Sequence, residues 1–423
     1  MEIVLCTLGT QGDISPFLAL SRRLANKGCS VTLLTNENWG DAARSTGAAF
    51  VAIAPADDPQ CGRDDHEFFL SNTLDSFRVS YDFVAGKVRH SRKLALVYRV
   101  NMLGMECAAE KFGLLNGRVA LQPSVVRSYL RPPWPMTVLT KGRIGWIGSN
   151  IVVPAIYKGF EAASPYRKYT NAFRSSVGLA PISLFRPRDP VEDFVLMMCP
   201  EWFAMPQLDW PSNVHTIGFP FTDGGIRDEE IAGFIRANGP PVVFTPGTGV
   251  TETDRFFANA AAALECVQAP GIFLSQHIPP VHRRNPRILC KAFSDLGWLL
   301  PQSRALVHHG GIGTTAQALR AGIPQMVIPG RFDQPDNAMR VAMLGLGSAI
   351  LSDRYSGEKW GELLLDTLRS GYVGEQCRRA RRSMLGANAA ADGVRLIETY
   401  ICERFADAGK PGLPAQVSAY EAA

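Results

Sequence analysis

The chain has 423 residues, of which 46% are hydrophobic and 20% charged. This length and composition are typical of a soluble globular protein with two domains of ordinary size. The formal net charge of +5 is small for such a length, so the composition does not favour a nucleic-acid partner. The nine cysteines form no C-x-x-C pair, which favours reduced thiols in the cytoplasm over a disulfide framework or a zinc site.

Two features of the sequence bear on the membrane. There is no run of about 18 apolar residues, so the sequence predicts no membrane-spanning helix. Arg378, Arg379, Arg381 and Arg382 form a dense basic cluster, which is either a solvated helix face or a contact with anionic lipid. We therefore expect a cytoplasmic protein, with peripheral contact at the inner face of the membrane as the alternative.

The first elements of the chain predict an α/β domain. Strands are expected at Ile3–Leu8, Ser30–Thr35 and Ala48–Ile53, and a helix at Ser15–Lys27. Alternating strands and helices give a parallel sheet with right-handed crossovers. Ligands of such a sheet bind beyond the carboxyl ends of its strands, which is where Asp13 falls.

The rest of the chain divides into an irregular middle and a second α/β domain. Residues 131–188 are rich in Pro, Trp and Arg and weakly periodic, and we interpret them as helices and loops that line a cleft. A strand at Pro241–Thr245, a helix at Glu252–Glu265 and a strand at Ile272–Ser275 begin the second domain. A last helix at Asp392–Phe405 is long enough to reach back to the first domain.

Residues 305–338 carry the strongest functional signal. They predict a strand, a glycine-rich turn, a helix that Gly322 ends, a second strand and a polar loop. A helix that begins directly after a strand directs unpaired N–H groups and its positive dipole end at the turn, which favours a phosphate there. His309 adds a donor at the strand end, and Asp333 and Gln334 suit sugar hydroxyls. Phosphate and hydroxyl contacts together predict a nucleotide-sugar site.

Three motifs carry a resemblance to a known family. His-His-Gly-Gly-Ile-Gly-Thr-Thr at 308–315, with Phe-Asp-Gln-Pro-Asp-Asn-Ala at 332–338, resembles the donor-site signature of family 1 glycosyltransferases of the GT-B fold. Gly-Thr-Gln-Gly-Asp-Ile-Ser-Pro-Phe at 9–17 resembles the opening of the bacterial and sterol glucosyltransferase branch. Pro200–Pro211, with the following Gly-Phe-Pro-Phe, resembles the catalytic chain of rhamnolipid rhamnosyltransferases.

The resemblance implies a fold and its partners. Two Rossmann-like α/β domains should place their parallel sheets face to face across a cleft. The implied division is an acceptor-binding domain at 1–217, a linker at 218–239, a nucleotide-sugar-binding domain at 240–390, and a returning helix with a tail at 391–423. The implied partners are a nucleotide-sugar and a hydrophobic hydroxylated acceptor. No cofactor and no metal are expected, and the oligomeric state is left open.

On the acceptor side, the resemblance makes Asp13 the general base, with Thr10 and Gly12 beside it. Transfer with inversion requires removal of the acceptor hydroxyl proton as its oxygen attacks the anomeric carbon. The alternative is structural, because Asp is also an excellent residue for capping the helix that follows.

On the donor side, the resemblance places His309 at the diphosphate. His308 is included as a second donor-site histidine, or as a neighbour packed at the strand end. Gly310, Gly311, Gly313 and Thr314 are expected to supply backbone and hydroxyl contacts, and Asp333 and Gln334 to bind the sugar. Thr248 is expected near the phosphates.

Three further residues each have a structural interpretation beside the donor-binding one. Phe293 and Trp298 lie in the segment that holds the base in relatives, and either could be a core aromatic residue instead. Gln317 stands where plant relatives carry a ribose-binding Glu, or it is an ordinary exposed helix residue.

The resulting hypothesis is an inverting hexosyltransferase that moves rhamnose or glucose from a dTDP- or UDP-sugar to a hydroxyl of a lipid or other hydrophobic acceptor. A nucleotide-sugar 2-epimerase of the same fold and a non-catalytic nucleotide-sugar-binding partner subunit remain as alternatives.

Overall fold

The computed structural model describes residues 1–55, 66–91, 93–142, 145–183, 192–221, 225–247, 250, 253–351 and 355–406. Within these residues the strands are β1 (Glu2–Cys6), β2 (Ser30–Asn36), β3 (Ala49–Ala54), β4 (Leu94–Arg99), β5 (Leu115–Ala120), β6 (Phe194–Met197), β7 (Val214–Thr216), β8 (Val242–Thr245), β9 (Gly271–Leu274), β10 (Ile288–Lys291), β11 (Ala305–His308), β12 (Gln325–Val327) and β13 (Gly347–Ala349).

The helices of the first domain are α1 (Gln11–Asn26), α2 (Gly40–Arg44), α3 (His66–Val88), α4 (Leu103–Phe112), α5 (Gly145–Ile147), α6 (Val153–Ala163) and α7 (Pro165–Ser176). Those that follow are α8 (Glu229–Asn238), α9 (Asp254–Val267), α10 (Leu296–Leu299), α11 (Ile312–Ala321), α12 (Gln334–Met343), α13 (Gly357–Arg369), α14 (Gly371–Ser383) and α15 (Ala389–Ala406).

The strands form two parallel sheets with the same doubly wound order. The first sheet runs β3-β2-β1-β4-β5-β6-β7, and the second runs β10-β9-β8-β11-β12-β13. In each sheet the order reverses beside the first strand of the domain, between β1 and β4 and between β8 and β11. Open sheets of this kind bind ligands at that reversal, beyond the carboxyl ends of the strands. The predicted fold class, two Rossmann-like domains with parallel sheets, is confirmed.

Strand β1 shows why the first sheet is buried on both faces. Ile3 and Leu5 pack into one apolar core, whereas Val4 and Cys6 pack into the core on the opposite side. Successive side chains of a strand point to opposite faces, so an uninterrupted apolar run needs cover on both sides.

The last helix packs on the first domain. Val394 and Ile397 of α15 are buried in the core that α1 also covers. The Tyr400 ring lies 4.8 Å, centroid to centroid, from that of Phe194, and Lys27 forms a 2.6 Å ion pair with Glu398. Helix α15 begins at Ala389, two residues before the predicted boundary, and residues 229–238 of the predicted linker form α8, which packs into the second domain through Ile231.

The two domains share an apolar core. Met197 and Phe203 of the first domain belong to the same buried cluster as Leu319 and Val341 of the second. Side chains of the two domains are therefore packed together at one side of the cleft between the sheets.

Residues 121–193 connect the neighbouring strands β5 and β6 and contain most of the irregular structure. A 3-10 turn at Met136–Thr140 lies against a helical run made of α5, a π turn at Gly148–Val152, and α6. The expectation of mixed helices and loops holds for the described part of this segment.

Candidate active site

The first crevice lies where β1 and β4 end. Strand β1 ends at Cys6, and the following turn leads into α1, whose N-terminal cap is Thr10. The helix begins at Gln11, four residues before the predicted start at Ser15. Asp13 is therefore the third residue of the helix and not its cap residue, and its side chain lies in the crevice.

Asp13 completes a capping box at the start of α1. Its Oδ2 accepts a 3.0 Å hydrogen bond from the Thr10 backbone N–H and lies 3.4 Å from Thr10 Oγ1. The structural role of Asp13 in starting the helix is thus real, and it leaves the carboxylate with further acceptor positions. Gly12 is on the same first turn, and a side chain there would meet no atom outside its own helix within 4 Å.

Arg99, which the sequence interpretation missed, holds the other oxygen of Asp13. The Arg99 Nη2 lies 3.0 Å from Asp13 Oδ1, and its Nη1 donates a 2.9 Å hydrogen bond to the Leu8 carbonyl. Arg99 is the last residue of β4, so the pair forms at the point where the strand order reverses. A single charged residue at the end of a buried apolar run was the signal that could have found it.

The second crevice lies where β8 and β11 end. His309 follows β11 directly, and its half-buried imidazole lies against the backbone of Gly247, which follows β8. A Cβ at Gly247 would stand 2.9 Å from His309 Cε1, and one at Gly311 would stand 2.5 Å from His309 Nε2. Both glycines are therefore needed to admit the ring. Thr248 lies outside the described residues.

His308 is buried and does not face the cleft. Its Nδ1 accepts a 3.1 Å hydrogen bond from the Gly310 N–H, and its Nε2 is 3.0 Å from Gln325 Oε1. Burial, helped by the charge of His309, lowers the pKa of His308 to about 3. This geometry does not support the donor-binding role predicted for His308. Its neutral ring instead stabilises the turn through these two hydrogen bonds.

The backbone N–H and carbonyl of Gly310 are also hydrogen-bonded within the protein. Its N–H bonds to His308, and its carbonyl accepts a 2.9 Å hydrogen bond from Asn337 Nδ2. The backbone N–H of Gly310 is thus used within the turn, and the residue adopts a φ of +89° there.

The start of α11 is open. Gly311 is the N-terminal cap residue, and no side chain caps the helix there. A Cβ at Gly313 would meet no atom outside its own helix within 4 Å, and Thr314 is half-buried beside it. The first N–H groups of a ten-residue helix thus point into the crevice together with the positive end of its dipole. Helix α11 also contacts α1 of the first domain.

Asp333 is a carboxylate of the second domain that lies near the Asp13 carboxylate of the first domain. Its Oδ2 accepts a 2.7 Å hydrogen bond from Asn337 Nδ2. Burial raises the pKa of Asp333, the negative charge of Asp13 raises it further, and the Arg99 guanidinium acts in the opposite direction. Asp13, Arg99 and Asp333 are therefore within electrostatic reach of one another across the cleft.

Gln334 shapes the loop before α12. Its Oε1 accepts hydrogen bonds from the N–H groups of Gly330 (2.8 Å) and Arg331 (3.3 Å). The side-chain oxygen is therefore used internally, which leaves only the amide nitrogen for a sugar. Phe332, immediately before Asp333, is 88% exposed with a φ of +60°.

The remaining predicted donor residues, Gln317, Trp298 and Phe293, differ in their surroundings. The buried Oε1 of Gln317 has no hydrogen-bond partner among the described residues and faces a pocket shared with Asp295 and Gly297. Trp298 is half-buried and packs against Gly225. Phe293 is 59% exposed. Gln317 and Trp298 thus lie near one pocket of the second domain, whereas Phe293 projects into solvent.

A polar link fixes the two domains beside the site. Asp336 of α12 accepts a 3.1 Å hydrogen bond from the Trp134 N–H through Oδ1 and pairs with Arg340 through Oδ2 at 2.8 Å. Arg340 in turn donates to the Phe203 carbonyl at 3.2 Å. The motif at 200–211 therefore lies at the domain interface, a position that its sequence did not reveal.

The described residues contain no group of three or more His, Cys, Asp or Glu side chains placed to hold a metal ion. The eight cysteines in the described part of the chain are free thiols. No helix among the described residues is both long and apolar enough to cross a membrane.

Comparisons with known sequences agree with this geometry. The profile described as "Glycosyltransferase family 28 N-terminal domain" matches residues 3–80, and that described as "Erythromycin biosynthesis protein CIII-like, C-terminal domain" matches residues 273–394. The chain is thus similar to glycosyltransferases in both of its domains, and its fold is that of GT-B glycosyltransferases.

Several relatives are similar over most of the chain. Glycosyltransferase GtfE of Amycolatopsis orientalis is 27% identical, covering 82% of this chain and 86% of its own. The O-mycaminosyltylonolide 6-deoxyallosyltransferase of Streptomyces fradiae is also 27% identical, with 82% and 84% covered. The sterol 3-beta-glucosyltransferase of Debaryomyces hansenii is 26% identical over 82% of this chain, which corresponds to 23% of that longer protein.

Solved structures share the architecture. The glycosyltransferase of kitacinnamycin superposes with a TM-score of 0.72 at 18% identity, covering 95% of this chain and 99% of its own. Glycosyltransferase VinC, in complex with dTDP, superposes with a TM-score of 0.65 at 16% identity, with 96% and 100% covered.

Proposed function

We propose that the chain is an inverting hexosyltransferase that moves rhamnose or glucose from a dTDP- or UDP-sugar to a hydroxyl of a lipid or other hydrophobic acceptor. The observation that carries this proposal is the closeness of Asp13 and Asp333, which come from different domains. They are near enough for the charge of Asp13 to raise the pKa of Asp333. Asp13 stands where the first sheet reverses its strand order, and Asp333 follows β12, the neighbour of β11 in the second sheet, so an acceptor on one side faces a donor on the other.

The donor side has the features that a diphosphate requires. The uncapped start of α11 offers N–H groups and the positive end of a helix dipole, and His309 adds a ring nitrogen beside Gly247. Asp333 then faces the sugar, where a carboxylate pairs well with hydroxyl groups. A sugar without the matching hydroxyl would leave the second oxygen of this half-buried carboxylate without that hydrogen bond, which gives the site its discrimination.

The acceptor side supplies the base. In the proposed step the acceptor O–H gives its proton to the Asp13 carboxylate while the acceptor oxygen forms a bond to the anomeric carbon. The bond from that carbon to the diphosphate oxygen breaks with its electron pair, and the nucleoside diphosphate leaves toward α11. Arg99 holds Asp13 in position during this step and balances its charge before the proton arrives.

The hydrophobic acceptor is supported by the names of relatives. The Streptomyces fradiae protein acts on O-mycaminosyltylonolide, and the yeast protein on a sterol. The dTDP bound to VinC supports a nucleoside diphosphate as the donor's leaving group. Neither comparison selects the sugar, so rhamnose and glucose are both retained.

The experiment is a matrix of purified full-length protein with dTDP-rhamnose and UDP-glucose, against hydroxy fatty acids, a sterol and a macrolide aglycone. We expect a glycoside product whose anomeric configuration, measured by nuclear magnetic resonance, is opposite to that of the donor. Retention of configuration would exclude a single displacement in which Asp13 acts as the base. A changed sugar still joined to its nucleotide would instead identify the 2-epimerase.

A further inference from the structure

The helical run α5–π turn–α6 has no charged side chain over 13 residues, from Gly145 to Tyr157. Its inner side is buried, including Gly148 and Val153. Surface helices normally carry charged or polar residues on their outer side. A helix that is apolar all round is normally buried, either in a protein core or in a membrane. The described part of the first domain leaves the outer side of this run exposed.

Six apolar side chains form this exposed region, which we term the α5–α6 surface: Val138, Leu139, Trp146, Ile147, Ile151 and Val152. Trp146 is 70% exposed, Val138 63% and Ile151 56%. The 3-10 turn and the helical run are contiguous, because a Cβ at Gly148 would stand only 1.7 Å from the Leu139 carbonyl oxygen. The six exposed side chains are therefore carried by two segments that pack against each other, which is more than scattered single surface residues would provide.

Basic residues flank the α5–α6 surface along the sequence. Between Arg131 and Ser183 the sequence holds seven Lys or Arg residues and one acidic residue, Glu161. Five of the basic residues are exposed and form no ion pair within the described part of the chain: Arg131, Lys141, Lys158, Arg167 and Lys168.

We propose that the α5–α6 surface binds an anionic lipid bilayer, with the helical run lying in the plane of the head groups. Tryptophan and branched aliphatic side chains enter the boundary between head groups and acyl chains, and flanking lysines and arginines attract anionic lipid. A second copy of this chain fits less well, because it would bring the same positive charges together. The proposal concerns binding alone and does not rest on the proposed reaction.

The structure favours this surface over the C-terminal arginine cluster. Arg378 and Arg382 both pair with Glu375, at 3.0 and 2.8 Å. An ion-paired arginine contributes less attraction to an anionic surface than a free one.

The experiment is flotation of the full-length protein with vesicles of phosphatidylcholine alone, or of phosphatidylcholine and phosphatidylglycerol in equal parts. We expect the protein to float with the mixed vesicles and to float poorly with the neutral ones. Trp146→Ser combined with Ile151→Ser should lower the partition coefficient about tenfold or more, because both side chains are exposed and would lose apolar burial in the bilayer. Lys158→Glu should weaken binding to the mixed vesicles only.

Two matched controls locate the effect. Val281→Ser changes a 65% exposed aliphatic residue of the second domain, and Arg379→Glu reverses an exposed charge of the C-terminal cluster. Both should float as the wild type does, and thermal melts should show that every variant is folded. The proposal is overturned if the wild type does not float with either vesicle, or if either control loses as much binding as its partner. Concentration-dependent dimerisation without flotation would assign the α5–α6 surface to a second copy instead.

Discussion

At the scale of single residues, Asp13 has two functions that can be separated. It completes the capping box of α1 by accepting a hydrogen bond from the Thr10 N–H, and it pairs with Arg99 at the opening of the cleft. Capping is a property of any residue that accepts a hydrogen bond, whereas proton acceptance needs a carboxylate. An amide at this position therefore distinguishes the two.

Asp13→Asn should lower turnover about 100-fold or more, in line with loss of a general base. Donor affinity, measured by calorimetry, should remain close to that of the wild type. Lys27→Gln is the matched control, because it removes an ion pair from the other end of the same helix. Near-normal turnover with intact donor binding would show that Asp13 acts only as a cap.

His309→Ala should weaken binding of the nucleoside diphosphate and leave the weak binding of the free nucleoside almost unchanged. The reason is that the imidazole lies beside the open start of α11, where the phosphates are proposed to bind. Calorimetric titrations with dTDP and thymidine measure both effects. Equal loss for the two ligands would indicate damage to the whole domain.

His308 should make stability depend on pH. Burial holds its folded-state pKa at about 3, far below the ordinary value near 6.5, so the unfolded chain binds a proton that the folded chain refuses. The stabilisation is complete above about pH 6.5 and is lost as the pH falls below it. Between about pH 7 and pH 5, the wild type should lose roughly 2 kcal/mol more than His308→Asn in urea unfolding. Equal losses would mean that His308 titrates normally.

At the scale of elements, the strands and helices that the sequence predicted are those marked by their own residues. Strand β11 and helix α11 follow from an apolar run, a glycine-rich turn and Gly322, which has a φ of +74° after the helix. The Arg99–Asp13 pair was not predictable, because strand order, and not sequence spacing, brings the ends of β1 and β4 together. The internal hydrogen bonds of His308 and Gly310 depend on Gln325 and Asn337, which lie on other elements.

Two glycines of the same helical run should respond in opposite directions to alanine. At Gly148 a Cβ would collide with the Leu139 carbonyl oxygen, so Gly148→Ala should destabilise the protein by about 1–3 kcal/mol. At Gly159 a Cβ would meet no atom outside its own helix within 4 Å, so Gly159→Ala should stabilise it by about 0.5–1 kcal/mol. Urea unfolding of both variants measures the difference. Equal effects would show that the 3-10 turn does not pack on this helix.

At the scale of the whole molecule, the two domains are not independent units. They share a buried apolar cluster and the Asp336–Arg340 link, and the last helix of the chain completes the core of the first domain. The sequence marked two α/β domains and a long last helix, but it could not show that apolar residues of α11 and α12 face the other domain. An amphipathic pattern indicates that a face is buried without indicating what buries it.

Ile397→Ala should therefore destabilise the first domain although the residue lies near the C-terminus. Ile397 is fully buried against the first sheet, and truncation of such a side chain costs about 2–5 kcal/mol. Leu385→Ala, at a 71% exposed position, is the control and should change stability by less than about 0.5 kcal/mol. Unfolding followed by tryptophan fluorescence compares the two. A small effect of Ile397→Ala would mean that α15 is only loosely attached.

The connection between β5 and β6 has a consequence for how new specificities arise. Because the two strands are parallel neighbours, with Gly117 beside Phe194 and Ala120 beside Met197, the residues between them leave the sheet at the carboxyl end of β5 and re-enter it at the amino end of β6. We expect changes in its length or sequence to leave the register of the other strands intact, provided that the contact of Trp134 with Asp336 is kept. Asp13, Arg99, His309 and Asp333 all lie outside it. Directed evolution confined to residues 121–193 should thus change the acceptor while the transfer chemistry is inherited intact.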